Sequence, residues 1–101
     1  MTNELIIPPA VQQLITKIED RSDTYMQRLR ITFTNGYGLS IIRGEHSYGN
    51  EFGVEIAPFN PQGELDGSLF DEDDQGDDVL GWCDQTKVNH YLTKLSSLPK
   101  V

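Results

Sequence analysis

The segment MQRLRITFTNGYGLSIIR, residues 26–43, carries the strongest structural signal in the chain. Apolar and polar side chains alternate on both sides of Asn35-Gly36, as is typical of strands with one buried face. The Asn-Gly pair favours a two-residue type I′ turn, because both central residues of that turn adopt positive φ. We therefore predict a β-hairpin whose strands cover residues 26–34 and 37–43.

Two amphipathic patterns predict a helix at each end of the chain. Residues 8–22 and residues 85–97 both place apolar side chains at positions i, i+3, i+4 and i+7. Pro8 stands near the start of the first pattern, where a missing N–H group costs little. Asp84 precedes the second pattern and is predicted to be its N-cap.

The remaining segments complete an antiparallel sheet. Residues 51–59 alternate like a strand, residues 65–70 form a weaker strand, and the short apolar stretch 79–82 follows. We predict a single α+β domain over residues 1–101, with an N-terminal helix, a meander of four to five strands and a C-terminal helix on one face of the sheet. The predicted core consists of Val11, Leu14, Ile18, Leu29, Ile31, Phe33, Leu39, Ile41, Val54, Ile56, Val88, Leu92 and Leu95.

The charges are distributed unevenly along the chain. Eight basic and sixteen acidic residues give a net charge of -8, and residues 44–86 hold twelve of the acids with no Lys or Arg. A field of one sign repels nucleic acid phosphates and anionic membranes but attracts basic surfaces. The expected partner is therefore a protein with a basic surface, with no direct binding to nucleic acid or membrane.

The remaining composition limits the class of protein. Cys83 is the single cysteine, so neither an intramolecular disulfide nor a zinc site built from several thiolates is expected. No apolar run approaches the ~18 residues of a membrane span. The N-terminus has neither the basic region nor the cleavage site of a signal peptide. These features predict a cytoplasmic protein.

Six carboxylates crowd the eight residues 71–78, DEDDQGDD, which we call the acidic segment. It is not an EF-hand loop, because Trp82 stands where the bidentate Glu is required. A solvated loop, a loose divalent-cation site and a surface for a basic partner remain as interpretations, and carboxylate spacing also allows DNA mimicry. We favour partner binding, and expect neutralisation of residues 71–74 to leave the melting temperature equal or higher. The candidate residues are Asp71, Glu72, Asp73, Asp74, Asp77 and Asp78.

The loop GEHSYGN, residues 44–50, is the second candidate contact region. Glu45, His46 and Ser47 have the side-chain types of a hydrolase triad, but adjacent residues point apart and cannot form that chain locally. Tyr48 offers a large contact area at little entropic cost. We therefore predict Glu45 and Tyr48 as flanking partner contacts, and no enzyme activity, cofactor or metal.

The sequence predicts structural rather than catalytic or metal-binding roles for His90, for Cys83 and for three arginines of the hairpin. His90 lies beside the apolar stripe of the last predicted helix and is expected to be partly buried. Cys83 and His90 are two ligands at most, which is too few for a metal site. Arg28 and Arg30 line the outer face of the first hairpin strand, where Arg43 is expected to join them across the hairpin.

Two stretches resemble a family of small uncharacterised proteins of tailed bacteriophages. They are ITFTNGYGLSIIRGEHSYGNEFGVEIAPF, residues 31–59, and DDVLGWCDQTKVNHYLTKLSSLP, residues 77–99. The shared features are the NGYG hairpin, the Ser-Tyr-Gly loop, the DDVLGW stretch and a last helix that ends in Leu-Pro. The resemblance implies a role in the cytoplasm of an infected bacterium and implies no reaction.

Together these observations predict a non-enzymatic, acidic interaction protein of phage origin. Its partner would be a basic surface of a host protein, and inhibition of host defence, such as restriction or CRISPR machinery, is one form of this role. A structural or self-assembling phage component, including a homodimer, is the alternative. A small metal-dependent module is the third hypothesis.

Overall fold

The computed structural model describes residues 7–22, 26–44 and 54–99, which form an antiparallel sheet with two helices on one face. The sheet order follows the chain order, so the five strands form a meander and the α+β class is confirmed. The strands are β1 (Ile15–Asp20), β2 (Met26–Phe33), β3 (Gly38–Gly44), β4 (Val54–Phe59) and β5 (Leu80–Cys83), and the helices are α1 (Pro9–Gln12) and α2 (Gln85–Ser96).

The hairpin between β2 and β3 is antiparallel as predicted, but its turn is one residue longer. The N–H of Gly36 donates to the carbonyl of Phe33, and the N–H of Phe33 donates to the carbonyl of Tyr37. Residues 34–36 therefore form a three-residue loop, and Gly36 takes the left-handed position that follows the turn, at φ 96°. This is the turn-plus-bulge form of a hairpin rather than the predicted type I′ turn. The register of the two strands shifts by one residue as a result.

Substitution of Gly36 by alanine is expected to lower the free energy of unfolding by about 1–2 kcal/mol, because the new Cβ meets both an unfavourable φ and a close neighbour. That Cβ would lie 3.2 Å from the Cβ of Pro61. Gly63 is the matched control, since its φ is 81° but the nearest atom lies 3.9 Å away. Urea unfolding of both variants measures the difference. A cost at Gly36 no larger than at Gly63 would contradict this account of the turn.

The predicted helix over residues 8–22 is wrong beyond its first turn. Only Pro9–Gln12 are helical, and Ile15–Asp20 instead form β1 along the open side of β2. Two of the apolar residues that made the helical pattern, Ile15 and Ile18, are β-branched, and such residues favour strands. Pairing also gives the backbone groups of β2 partners that a helix would not supply. Ile18, predicted in the core, is 49% exposed on this edge strand.

The predicted strand over residues 65–70 is also wrong. Leu65 makes one isolated bridge to Phe59, and residues Gly67–Leu69 form a short 3-10 helix. The Asp66 carboxylate accepts a hydrogen bond from the Ser68 N–H at 3.1 Å, which starts this helical turn. Of the strand predicted over 51–59, the part in the described residues is β4, and residues 51–53 lie outside them.

The core between the sheet and the helices contains most of the predicted residues. Leu14 and Leu29 are half-buried rather than fully enclosed. Phe70, Cys83 and Tyr91 were not predicted, yet they are at most 2% exposed. The predicted residues that are buried are Val11, Ile31, Phe33, Leu39, Ile41, Val54, Ile56, Val88, Leu92 and Leu95.

Helix α2 is held at both ends by side chains. At its start the Asp84 carboxylate accepts from the N–H of Lys87 at 2.9 Å, which confirms the predicted N-cap. At its end the side-chain amide of Asn35 donates to the carbonyls of Leu95 and Leu98, at 2.7 and 2.9 Å. The hairpin turn therefore caps the C-terminus of α2 across the core.

Candidate functional site

The acidic segment lies against α2, which supplies it with two ammonium groups. Lys87, Tyr91 and Lys94 occupy positions i, i+4 and i+7 and so share one face of the helix. The Lys87 ammonium lies 3.1 Å from the Asp74 carboxylate, and the Lys94 ammonium lies 2.8 Å from that of Asp71. Two of the six clustered carboxylates are thus paired with bases that follow them in the sequence.

The hydroxyl of Tyr91 joins the two paired carboxylates at the centre of this contact. It accepts from the Asp71 N–H at 2.9 Å and donates to the Asp74 carboxylate at 2.5 Å. The Tyr91 ring is buried edge-on against Phe70, with ring centroids 5.2 Å apart. A buried aromatic ring with a polar tip thereby connects the core to the acidic segment.

Two further hydrogen bonds fix the chain around the acidic segment. The Lys94 ammonium donates to the Leu69 carbonyl at 2.7 Å, and the Gln75 side-chain amide donates to the Phe70 carbonyl at 3.0 Å. Residues Glu72–Asp74 form a single 3-10 turn between these contacts. Backbone and side-chain bonds therefore both attach the segment to α2 and to the turn before it.

His90 is placed differently from its prediction. Its side chain is 49% exposed, and its Nε2 lies 2.5 Å from the Asp71 carboxylate. The apolar stripe of α2 passes through Tyr91 rather than through His90, so the imidazole is left at the margin of the helix. His90 extends the polar contact with the acidic segment instead of filling the core.

The contacts shift the pKa values of the groups that make them. Hydrogen bonds from Lys94 and His90 lower the pKa of Asp71, and the bond from the Tyr91 hydroxyl lowers the pKa of Asp74. The same carboxylate raises the pKa of Lys87. Burial, assisted by the bond to Asp74, raises the pKa of Tyr91. At neutral pH the hydroxyl is therefore a donor to an ionised carboxylate.

These lowered pKa values predict an acid-dependent contribution to stability. A carboxylate with a lowered folded-state pKa stabilises the fold above its ordinary pKa, near 3.8, and the contribution is lost as pH falls through the lowered value. The variant Asp71→Asn/Asp74→Asn should be less stable than the wild type at about pH 6, and the gap should narrow towards about pH 3. Urea unfolding across this range measures the gap. A gap that is independent of pH would contradict the assignment.

The other four carboxylates of the acidic segment remain exposed. Asp77 accepts from the N–H of Asp78 at 2.7 Å, and Asp78 accepts from the N–H of Gly67 at 3.0 Å. The side chains of Glu72 and Asp73 have no hydrogen bond or ion pair within residues 7–22, 26–44 and 54–99. The segment therefore combines fixed carboxylates with freely exposed ones.

The pairing of Asp71 and Asp74 with bases of α2 corrects one expectation drawn from the sequence. Asp71 and Asp74 are compensated by Lys94 and Lys87 in the folded chain, although no base lies near them in the sequence. Neutralising all of residues 71–74 is therefore no longer expected to leave the melting temperature equal or higher. That expectation now applies to Glu72 and Asp73 alone.

The other candidate residues lie apart from this contact. Glu45 and Tyr48 fall outside the described residues. Arg43 faces Gln27 across the hairpin, so it lies on the opposite face of the sheet from Arg28, and the predicted basic stripe is wrong at this position. In the chain as described, no three His, Cys, Asp or Glu side chains gather as ligands for a metal ion.

The Cys83 thiol is enclosed by the core. It is 2% exposed, and burial raises its pKa to about 12. The thiol therefore stays protonated at neutral pH and has little of the thiolate character of a reactive nucleophile. Neither helix in the described part of the chain has the length and apolar character needed to span a bilayer.

Comparison of the chain with protein-family models, with curated proteins and with solved structures found no match.

Proposed function

We propose that this chain is a non-enzymatic interaction protein, encoded by a bacteriophage, that binds a basic surface of a host protein in the bacterial cytoplasm. The observation that carries the proposal is the arrangement of the acidic segment on α2. Asp71 and Asp74 hold the segment in place, while Glu72 and Asp73 present their carboxylates without partners among the described residues. A basic partner would supply positive charges opposite these two carboxylates.

The fixed conformation of the segment supports binding rather than solubility alone. Exposed acids need no defined geometry to keep a protein soluble, whereas a preformed surface loses less conformational entropy on binding. The Tyr91 hydroxyl and the Lys94 ammonium tie the segment to a helix whose inner face is core. Charge complementarity would also accelerate association at low salt.

Inhibition of a host defence protein is one form of this proposal, and DNA mimicry is its most specific version. A mimic occupies the groove where the partner binds phosphates, so it competes with DNA for the same basic surface. Glu45 and Tyr48, predicted as flanking contacts, belong to the same proposal. Competition between DNA and this chain for a captured partner would separate mimicry from binding elsewhere on the partner.

Capture from a bacterial lysate tests the proposal. Immobilised wild-type protein should retain a protein with a basic surface that Glu72→Gln/Asp73→Asn fails to retain, because the variant lacks these two exposed carboxylates. Glu64→Gln is the matched control, since Glu64 is also exposed but lies outside the acidic segment. Equal capture by the wild type and the double variant would contradict the proposal, and so would equal losses from both variants.

A further inference from the structure

Among the residues that the structure describes, β1 forms one edge of the sheet. The N–H of Arg21 donates to the carbonyl of Arg28 on β2, at 2.8 Å. Backbone groups alternate in direction along an antiparallel strand, so Ile18 and Asp20 direct their N–H and C=O groups away from β2. No strand in the described part of the chain pairs with this side of β1. Such an edge is a template for another strand.

Charges on β1 favour one pairing with a second copy of the same strand. Within residues 17–20, where the register is regular, only Ile18 and Asp20 direct their backbone N–H and C=O groups away from β2. An antiparallel pair of β1 strands can therefore place Ile18 opposite Ile18, Ile18 opposite Asp20, or Asp20 opposite Asp20. The second arrangement sets Glu19 against Glu19, and the third sets Asp20 against Asp20. The first sets Lys17 of each copy against Glu19 of the other, and it is the one arrangement of the three without directly opposed like charges.

The exposure of these side chains agrees with that register. Ile18 is the most exposed large apolar residue in the described part of the chain, at 49%, and the first register brings it against its own counterpart. Lys17 and Glu19 already lie together on the other face, with the ammonium 3.6 Å from the carboxylate. Cross-strand pairs of opposite charge and of β-branched side chains stabilise a sheet.

We propose that two copies of this chain pair through the β1 edges, with Ile18 on the two-fold axis. The two sheets then form one continuous sheet, in which each Ile18 exchanges both backbone hydrogen bonds with the other. β5 is the opposite edge of the sheet, and the acidic segment precedes β5, so pairing leaves both acidic segments unobstructed. This inference does not depend on the proposed function. A six-residue contact is small, so the dimer is weak and concentration-dependent.

Charge reversal tests the register directly. By sedimentation equilibrium from ~1 µM to ~1 mM, the wild type should show a reversible monomer–dimer equilibrium. Lys17→Glu and Glu19→Lys each create two like-charge pairs and should raise the dissociation constant by about tenfold or more. The double variant restores opposite charges in the same register and should recover most of the wild-type affinity.

Three results would overturn this inference. The first is a wild type that stays monomeric over the whole concentration range. The second is single variants that dimerise like the wild type, which would place the dimer on another surface. The third is a double variant that dimerises as weakly as the single variants. The effects of the single substitutions would then come from a change of charge or from lost local stability at Glu19, whose carboxylate also pairs with Arg21 at 2.9 Å. Circular dichroism of each variant confirms that it is folded.

Discussion

Replacement of Asn35 by alanine is expected to lower the free energy of unfolding by about 2–3 kcal/mol. The side-chain amide donates to two carbonyls at the end of α2, those of Leu95 at 2.7 Å and Leu98 at 2.9 Å. Its oxygen accepts from the N–H of Tyr37 at 3.0 Å, and the residue is only 8% exposed. Alanine removes all three bonds and leaves polar backbone groups poorly solvated. Urea unfolding at neutral pH measures the cost.

Asn60 provides a matched control for Asn35. Its side-chain oxygen also accepts from backbone N–H groups in a turn, those of Gln62 and Glu64 at 3.0 Å each, but these bonds are exposed. Asn60→Ala should therefore cost less, at about 1 kcal/mol or below. If Asn35→Ala costs no more than Asn60→Ala, the link between the hairpin turn and α2 contributes little to stability.

Replacement of Tyr91 by phenylalanine is expected to cost about 2 kcal/mol and to loosen the acidic segment from α2. The ring and its packing against Phe70 are retained, while the bonds to the Asp71 N–H and the Asp74 carboxylate are lost. A hydrogen bond to a charged group contributes more than a neutral one, so the hydroxyl has a large share in this contact. If the segment loosens, the Asp71 backbone amide should exchange its hydrogen faster, because its bond to the Tyr91 hydroxyl is lost.

Tyr37→Phe is the control for this substitution. Tyr37 is half-buried against the core, and its hydroxyl has no hydrogen-bond partner in the residues that the structure describes. Its loss should change stability by less than about 0.5 kcal/mol. Equal effects of the two substitutions, or unchanged exchange at the Asp71 amide in the Tyr91 variant, would show that the hydroxyl does not hold the segment.

Strands β2, β3 and β4 and helix α2 could be predicted because their signals are local. Alternation in β2 and β3 and the Asp84 cap of α2 depend on residues adjacent in the chain. The first helix was predicted too long because the spacing of its apolar residues fits both a helix and a strand. Ile15 and Ile18 satisfy the helical period, but the open side of β2 decides in favour of a strand. Such a tertiary preference cannot be recognised from a window of the sequence.

The position of the candidate site in the chain was predicted. Which of its carboxylates pair with α2 and which stay exposed was not. The acidic segment was identified from its density of carboxylates, whereas its contact with Lys87 and Lys94 joins residues 13 and 23 positions apart. One signal was available, since Lys87, Tyr91 and Lys94 share a helix face beside the core stripe. Basic residues on that face indicate where a neighbouring acidic loop would dock. Which two carboxylates dock there depends on the 3-10 turn at Glu72–Asp74, which no sequence pattern specified.

In the proposed role, the exposed carboxylates of the acidic segment bind a basic partner, while Asp71 and Asp74 hold the segment against α2. The most direct test measures the affinity of the captured partner for the wild type and for Glu72→Gln/Asp73→Asn, at ~50 mM and ~300 mM salt. We expect the wild-type affinity to fall as salt rises, and the variant to bind more weakly with a smaller dependence on salt. Equal affinity of the two proteins at both salt concentrations would contradict this role.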